Sequence, residues 1–266
     1  MTNKKPITRV IIIQTLADAL KPLDFVHAFW EGGAVAFSRI DEWSDIDLYL
    51  VVDDQKVDEA FLAVEKGLKS LSPIKHKYVT PHLPWPGVSQ TFYKLEDASD
   101  YLVIDFAVLE LTSQNKFLEP EIHGNALFYF NKSDKVNCPK LDRKALTEKL
   151  TERLKRLQAR FDMFNNLVQK EINRGNHLEA IDFYYTLILT SLVEVLRIKY
   201  YPVHHDFRMR YVHYELPAEI VGKLKSLYFV RDENDLQKKY HRAVEWFRSL
   251  MVEIDQEEIE KPITMP

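Results

Sequence analysis

The chain has 266 residues, 46% of them hydrophobic and 29% charged, with 7 Gly and 12 Pro. That composition excludes a collagenous, fibrous or wholly disordered protein, and the length suits two ordinary domains, each able to bury a core without disulfides or a structural metal. The formal net charge is -4; residues 1–140 carry 15 basic and 20 acidic side chains, residues 141–266 carry 21 and 20. Neither half is composed as a polyanion binder, so charge argues against a nucleic-acid partner. Cys138 is the single cysteine and cannot form an intramolecular disulfide, which fits a reducing cytoplasm. No apolar run approaches the ~20 residues of a spanning helix, and the N-terminal stretch is interrupted by Gln14 and Asp18, so neither a membrane span nor a signal peptide is expected.

The first half reads as mixed α/β. Val10, Ile13, Leu16 and Leu20 lie at helical spacing before Lys21-Pro22. Residues 25–30 form a β-prone run that ends in Glu31-Gly32-Gly33, a strand feeding a tight glycine turn. After an insert of helix size, residues 46–52 form a second strand, and residues 57–71 a helix with Phe61, Val64, Leu68 and Leu71 on one face. Pro73 ends that helix; residues 74–80, 90–95 and 101–109 then read as strands around the Pro-rich loop 81–87 and a polar turn at 96–100.

The pattern changes at Pro139. From an N-cap at Asp142, Leu150, Leu154, Leu157, Phe161, Phe164 and Val168 define one helix that Arg174-Gly175-Asn176 terminates. Leu178, Ile181, Tyr185, Ile188, Leu192 and Val195 define a second, ending at Tyr201-Pro202. A third is expected after Pro217, and a fourth after Asp232 carries Leu236, Tyr240, Ala243, Phe247 and Met251. The expected organisation is an α/β domain over 1–138, an antiparallel helical bundle over 139–254 and a frayed tail over 255–266.

Chemistry concentrates in Gly32-Gly33 and Asp45-Ile46-Asp47-Leu48. On a strand, Asp45 and Asp47 point to one side while Ile46, Leu48, Leu50 and Val52 point to the other, into the core. Two carboxylates so presented repel each other unless a cation lies between them, and Mg²⁺ suits, because it takes hard oxygen ligands and completes its shell with water and substrate phosphates. Asp105 interrupts an apolar strand between Ile104 and Phe106. Were that strand to lie beside the first, three carboxylates would converge and could hold two metals about 3.5–4 Å apart, as in phosphoryl displacement. A glycine turn lets backbone amides approach a phosphate without side-chain obstruction.

Gly32-Gly33, eleven intervening residues and Asp45-Ile46-Asp47-Leu48 resemble the signature of the DNA polymerase β-like nucleotidyltransferase superfamily. The stretch Asp41-Glu42-Trp43-Ser44-Asp45-Ile46-Asp47-Leu48 is similar to its bacterial antibiotic-modifying branch of aminoglycoside and lincosamide nucleotidyltransferases. The resemblance covers residues 24–110 by motif and the helical half by layout. It implies an α+β fold, a mixed sheet with flanking helices followed by an all-α bundle. It implies that Gly32 and Gly33 form the phosphate-binding turn, that Asp45, Asp47 and Asp105 bind Mg²⁺, and that Asp105 helps activate the acceptor hydroxyl. Ser44 would sit beside the metal site and Arg39 would meet the triphosphate. ATP or another nucleoside triphosphate would be the co-substrate, a small hydroxylated molecule the acceptor, and the cleft between the domains the place of reaction. Two features depart from the family pattern. The Ser that follows the motif glycine is here Gly33 or Ala34, according to alignment, and the usual Arg-Gly of the insert is displaced as Ser38-Arg39. The alternative function is a noncatalytic or toxin-antitoxin-type protein of this fold whose helical half binds a partner. Oligomeric state has no signature in the sequence.

Weaker features read as structural. Glu110 is a distant second to Asp105 as a base; Glu179, Asp182 and Glu194 form a solvated helix face that would suit a polycationic acceptor only if it faced the site. His204, His205 and His213 lack the spacing and cysteine company of a zinc site. Arg208 and His213 have the loose spacing of HEPN-type ribonucleases, a permissive pattern.

Overall fold

Thr8 caps the first helix through its hydroxyl, which accepts from the Ile11 amide at 3.4 Å, and the helix that follows buries Ile12, Ile13, Leu16 and Leu20. The computed structural model describes residues 7–132, 135–254 and 259. The expected tail over 255–266 lies outside the described residues apart from Ile259. Two compact units divide the chain, residues 1–141 and 142–266, three residues beyond the boundary expected at 138.

The first unit runs α1 (Arg9–Leu20), β1 (Val26–Glu31), α2 (Gly33–Ala36), β2 (Ile46–Val52), α3 (Val57–Leu71), β3 (Ile74–Val79), β4 (Val88–Leu95), β5 (Ile104–Glu110), α4 (Pro120–His123) and β6 (Leu127–Asn131). The six strands form one sheet in the order β3-β4-β5-β2-β1-β6. β2 and β5 pair in parallel at its centre, and the other pairings are antiparallel. The helix over 57–71 and the strand over 46–52 begin and end where the sequence pattern puts them. β5 starts at Ile104 rather than 101, because a turn closed by the Val103 amide on the Tyr101 carbonyl (3.0 Å) precedes it. α4 and β6 go beyond the periodic reading; β6 is a short aromatic strand added at the sheet edge beside β1.

The two sheet faces have different jobs. One face supplies Ile46, Leu48, Leu50 and Val52 from β2 and Ile104, Phe106 and Val108 from β5 to a core closed by α1 and α3. Alternation along the strands puts Asp47, Tyr49 and Val51, with Asp105, Ala107 and Leu109, on the other face. That face carries a smaller apolar cluster around Ala28, Trp30, Val51, Ala107 and Leu109.

The second unit is helical: α5 (Arg143–Phe164), α6 (Leu167–Arg174), α7 (His177–Phe183), a π-helical turn (Tyr184–Leu189), α8 (Thr190–Tyr200), a 3₁₀ turn (Pro202–His204), α9 (Val212–Glu215), α10 (Ala218–Tyr228) and α11 (Glu233–Glu253). Asp142 and Asp232 cap α5 and α11, accepting from the Ala145 and Asp235 amides at 3.0 and 2.8 Å. The single helix expected from 142 to 174 is divided by a turn at 165–166; the Phe161 carbonyl there accepts from both the backbone amide (2.8 Å) and the side-chain amide (2.7 Å) of Asn165. The second expected helix is likewise interrupted, by the π-helical turn, where the Thr190 hydroxyl donates to the Tyr185 carbonyl at 2.9 Å. Phe161 and Phe247 stack at 3.7 Å and join α5 to α11.

Candidate active site

Parallel pairing of β2 with β5 puts Asp47 directly opposite Asp105, and Ile46 and Leu48 opposite Ile104 and Phe106. Paired residues on adjacent strands project to the same face about 4.8 Å apart, so the two carboxylates stand side by side on the face away from α1 and α3. Both are half-buried, whereas Asp45, one residue before β2, is exposed. Among the described residues no group of three or more His, Cys, Asp or Glu side chains is gathered to hold a metal. Strand pairing sets Asp47 opposite Asp105, and Asp45 lies just before that ladder begins.

The glycine turn lies against Asp47. The Gly32 amide donates to the Asp47 carbonyl at 2.9 Å, continuing the β1–β2 ladder past Glu31. Gly33 has φ +56, and a Cβ there would fall inside the Asp47 carboxylate. Only glycine therefore fits, both for conformation and for space. A Cβ on Gly32 would stand 2.9 Å from the Tyr49 ring. The turn leaves through α2 and Ser38, itself at φ +54, and the Arg39 amide closes it on the Ala34 carbonyl at 2.8 Å. Arg39 is half-buried, with its guanidinium 5.1 Å from the Phe37 ring. Ser44 is a turn former: its hydroxyl donates to the Asp41 carboxylate at 2.8 Å and accepts from the Asp41 amide at 3.0 Å.

Four contributions to this site escape the motif reading. Gln90 on β4 donates its amide to both oxygens of Asp105, at 2.7 and 3.0 Å, and accepts from the Thr80 hydroxyl at 3.3 Å. Arg9 at the start of α1 pairs with the buried Glu31 and donates to the Ser44 and Asp45 carbonyls. Tyr129 on β6 donates to the other oxygen of Glu31. One guanidinium thus ties the residue before the glycine turn to the backbone that leads into Asp47. Finally, Trp43 and Tyr101, 60% and 63% exposed, meet edge-on at 4.9 Å close in sequence to Asp45 and Asp105. No sequence periodicity marks Gln90 or Arg9, since each acts through a tertiary contact 15 or more positions away.

Glu110 lies at the opposite end of β5, about 16 Å from Asp105 along the strand, and its carboxylate accepts from the Gln55 amide. In the helical unit Glu194 is held by Arg153 through two bonds of 2.5 and 2.8 Å. His204 is fully buried, and its Nδ1 is hydrogen-bonded to the Glu215 carboxylate (2.9 Å).

No protein-family description matches the chain, and no curated protein matches it in sequence. Solved structures do. The chain is similar to an aminoglycoside 6-adenyltransferase from Bacillus subtilis, with 13% identity and TM-score 0.38 over 97% of this chain and 90% of that one. It is similar to spectinomycin adenyltransferase AAD(9) from Enterococcus faecialis, solved with ATP and spectinomycin, with 12% identity and TM-score 0.32 over 91% and 96%. It is also similar to a STING-associated CdnE c-di-GMP synthase from Capnocytophaga granulosa, with 14% identity and TM-score 0.30 over 94% and 83%. These likenesses are low in identity and in superposition, and the weight of a functional reading falls on the residues themselves.

Proposed function

We propose that the chain is a nucleotidyltransferase that moves a nucleoside monophosphate, AMP from ATP in the simplest case, onto a hydroxyl of a small acceptor. The bond from the acceptor oxygen to the α-phosphorus forms, the bond to the pyrophosphate leaving group breaks, and the hydroxyl proton passes to a carboxylate. The observation that carries this reading is the Asp47–Asp105 pair on adjacent parallel strands, with Gly33 packed against Asp47. Paired half-buried carboxylates on register-fixed backbones suit Mg²⁺, which is held by one or two carboxylates plus water and substrate phosphates. Asp47 and Asp105 would hold the ion, and Asp45, two residues before Asp47, would serve as a further ligand. When bound it would neutralise charge on the phosphoryl oxygens.

The chain's own groups complete the role. The glycine turn brings no side chain of its own; with the Gly32 amide engaged by the Asp47 carbonyl, contact to a phosphate would fall to the amides that follow it, and Arg39 would pair with a phosphate. Gln90 fixes the plane of the Asp105 carboxylate, so that one lone pair faces the site to take the acceptor's proton. Arg9 is a positioning residue that sets the backbone before Asp47. Trp43 and Tyr101 form an exposed apolar edge against which an acceptor could pack. An aminoglycoside-like acceptor and a cytoplasmic setting belong to this proposal; among the described residues no helix is long and apolar enough to cross a membrane.

The test is a pyrophosphate-release screen of ATP, GTP, CTP and UTP against aminoglycosides, lincosamides and other polyols, with product masses measured. Release matched by an acceptor heavier by one nucleoside monophosphate supports transfer. A second reading, a noncatalytic protein of this fold, is favoured by Ala34, which brings no hydroxyl to the turn. Its signature is a melting temperature raised by Mg²⁺ and ATP with no release from any triphosphate.

A further inference from the structure

The helical unit contains a cavity of about 480 Å³ with a strongly cationic lining, in a chain whose net charge is -4. Lys149, Arg153, Arg156 and Arg160 line it from α5. Their spacing of four, three and four residues puts them on one strip of the helix, a row about 16 Å long beside the buried seam of Leu150, Leu154, Leu157 and Phe161. Arg208 adds a fifth cation from the loop after α8. Against them stand two acids, Glu194, which Arg153 already engages, and Asp206. Four cations therefore remain for one carboxylate, an arrangement of like charges that raises the energy of the apo state and is relieved by an anion.

The cavity also contains a polar group that lacks a partner. His205 lines it, is 8% exposed, and its Nδ1 finds no hydrogen-bond partner among the described residues. A buried unsatisfied ring nitrogen is costly; with almost no accessible surface, this Nδ1 is covered by protein, and the ring forms part of the cavity wall. The loop that carries His205 and Arg208 is held from beneath. Fully buried Arg197 donates to the Arg208 carbonyl at 2.6 Å and to that of Arg210, and pairs with buried Glu215 at 2.8 Å. This clamp keeps Arg208 at φ +52, a conformation a non-glycine residue seldom adopts. The backbone that carries Arg208 is consequently set before any ligand arrives, which lowers the entropic cost of ordering that loop on binding.

We infer that this cavity binds a small anion carrying at least two phosphoryl groups, with its charges along the α5 row and Arg208 and the His205 ring in the wall beside it. Guanidinium groups suit phosphoryl oxygens because their planar forks bond two at once. The concave shape favours a compact ligand over an extended nucleic-acid strand. The site does not depend on the nucleotide-transfer reading, and it points any acceptor search toward phosphorylated compounds as well as cationic ones.

The test is calorimetric titration of inorganic pyrophosphate into the full chain with EDTA present, which removes metal-dependent binding at Asp47. One saturable site is expected, unchanged in Asp47→Asn. In the double variant Arg156→Ala/Arg160→Ala it should be weaker by about tenfold or more, the loss expected for removing charge-assisted bonds. Both arginines are exposed and neither takes part in an ion pair among the described residues, so the fold should survive, which circular dichroism checks. The ¹⁵N resonance of the His205 ring should shift on addition of pyrophosphate. Absence of saturable binding, equal affinity in the double variant, or an unmoved His205 resonance would overturn the site. Inorganic phosphate binding as tightly as pyrophosphate would overturn the requirement for two phosphoryl groups. An oligoribonucleotide that pyrophosphate cannot displace would replace the small anion with a nucleic-acid backbone.

Discussion

The two units hold their charged groups in place by opposite means. In the sheet unit Asp47 and Asp105 are set by strand register: a parallel ladder and a glycine turn fix the backbone, and the side chains follow. In the helical unit Arg208 and His205 lie on an irregular loop, and a buried network of Arg197, Glu215 and His204 holds it from behind. Register rests mainly on backbone bonds, which satisfy themselves, with the pair of Arg9 and buried Glu31 added only where the glycine turn meets the start of β2. A loop has no ladder, so side-chain charges replace it, and they must be mutually satisfied to be tolerated in a core.

That contrast predicts the largest stability effect in the helical unit. Glu215→Gln leaves Arg197 charged and unpaired at zero exposure, and should cost about 3–5 kcal/mol in urea denaturation. A loss below ~1 kcal/mol would mean that the network is not what holds the loop. In the sheet unit the comparable change is chemical rather than structural. Asp105→Asn retains the Gln90 contact through its amide oxygen, so stability should change little, while turnover on an identified acceptor falls by ~100-fold or more. Near-normal kcat would remove Asp105 as the base.

Paired glycines sharpen the comparison. Gly33 and Gly175 both have positive φ, +56 and +75, but Gly175 at the end of α6 would meet nothing within 4 Å, whereas Gly33 abuts Asp47. Gly175→Ala should cost only the left-handed backbone term, about 1–2 kcal/mol. Gly33→Ala should cost more than that and also displace Asp47, weakening nucleotide binding; equal losses of stability with nucleotide binding intact would show that the close approach is unimportant.

The smallest effect concerns pH. Asp235 in the first turn of α11 is held at a pKa of about 2 by the Lys239 ammonium (2.9 Å) and the Arg231 amide (3.0 Å). A depressed carboxyl stabilises the folded state above its unfolded pKa of about 3.9 and loses that contribution as pH falls toward 2. Asp235→Asn should therefore lower the melting temperature at pH 6 and converge with the parent chain near pH 2; a constant difference across that range would exclude the linkage.

Much of this was legible in the residues. Period-two alternation over 46–52 put the acids on one face and the apolar residues on the other, and the Pro and Gly punctuation marked most element ends. Apolar periodicity is blind to side chains that act on distant backbone. It extended the 142–174 helix through the turn at 165–166, where the Asn165 side chain adds a bond to the Phe161 carbonyl, and carried the next helix through the π-helical turn at Tyr184–Leu189. Gln90, Arg9 and the Arg197 network are likewise defined by partners that only the fold brings near. The acids at 45, 47 and 105 were singled out by motif, and the strand ladder adds the register that sets Asp47 opposite Asp105.

The account depends most on Asp47 and Asp105 as the place where a nucleotide's phosphates meet the sheet. Its most direct test is calorimetric titration of ATP with and without Mg²⁺ into the parent chain and into Asp47→Asn. The expected result is one Mg²⁺-dependent site in the parent that disappears in the variant while its circular dichroism and melting temperature are retained. Equal Mg²⁺-dependent affinity in the two proteins would contradict the assignment.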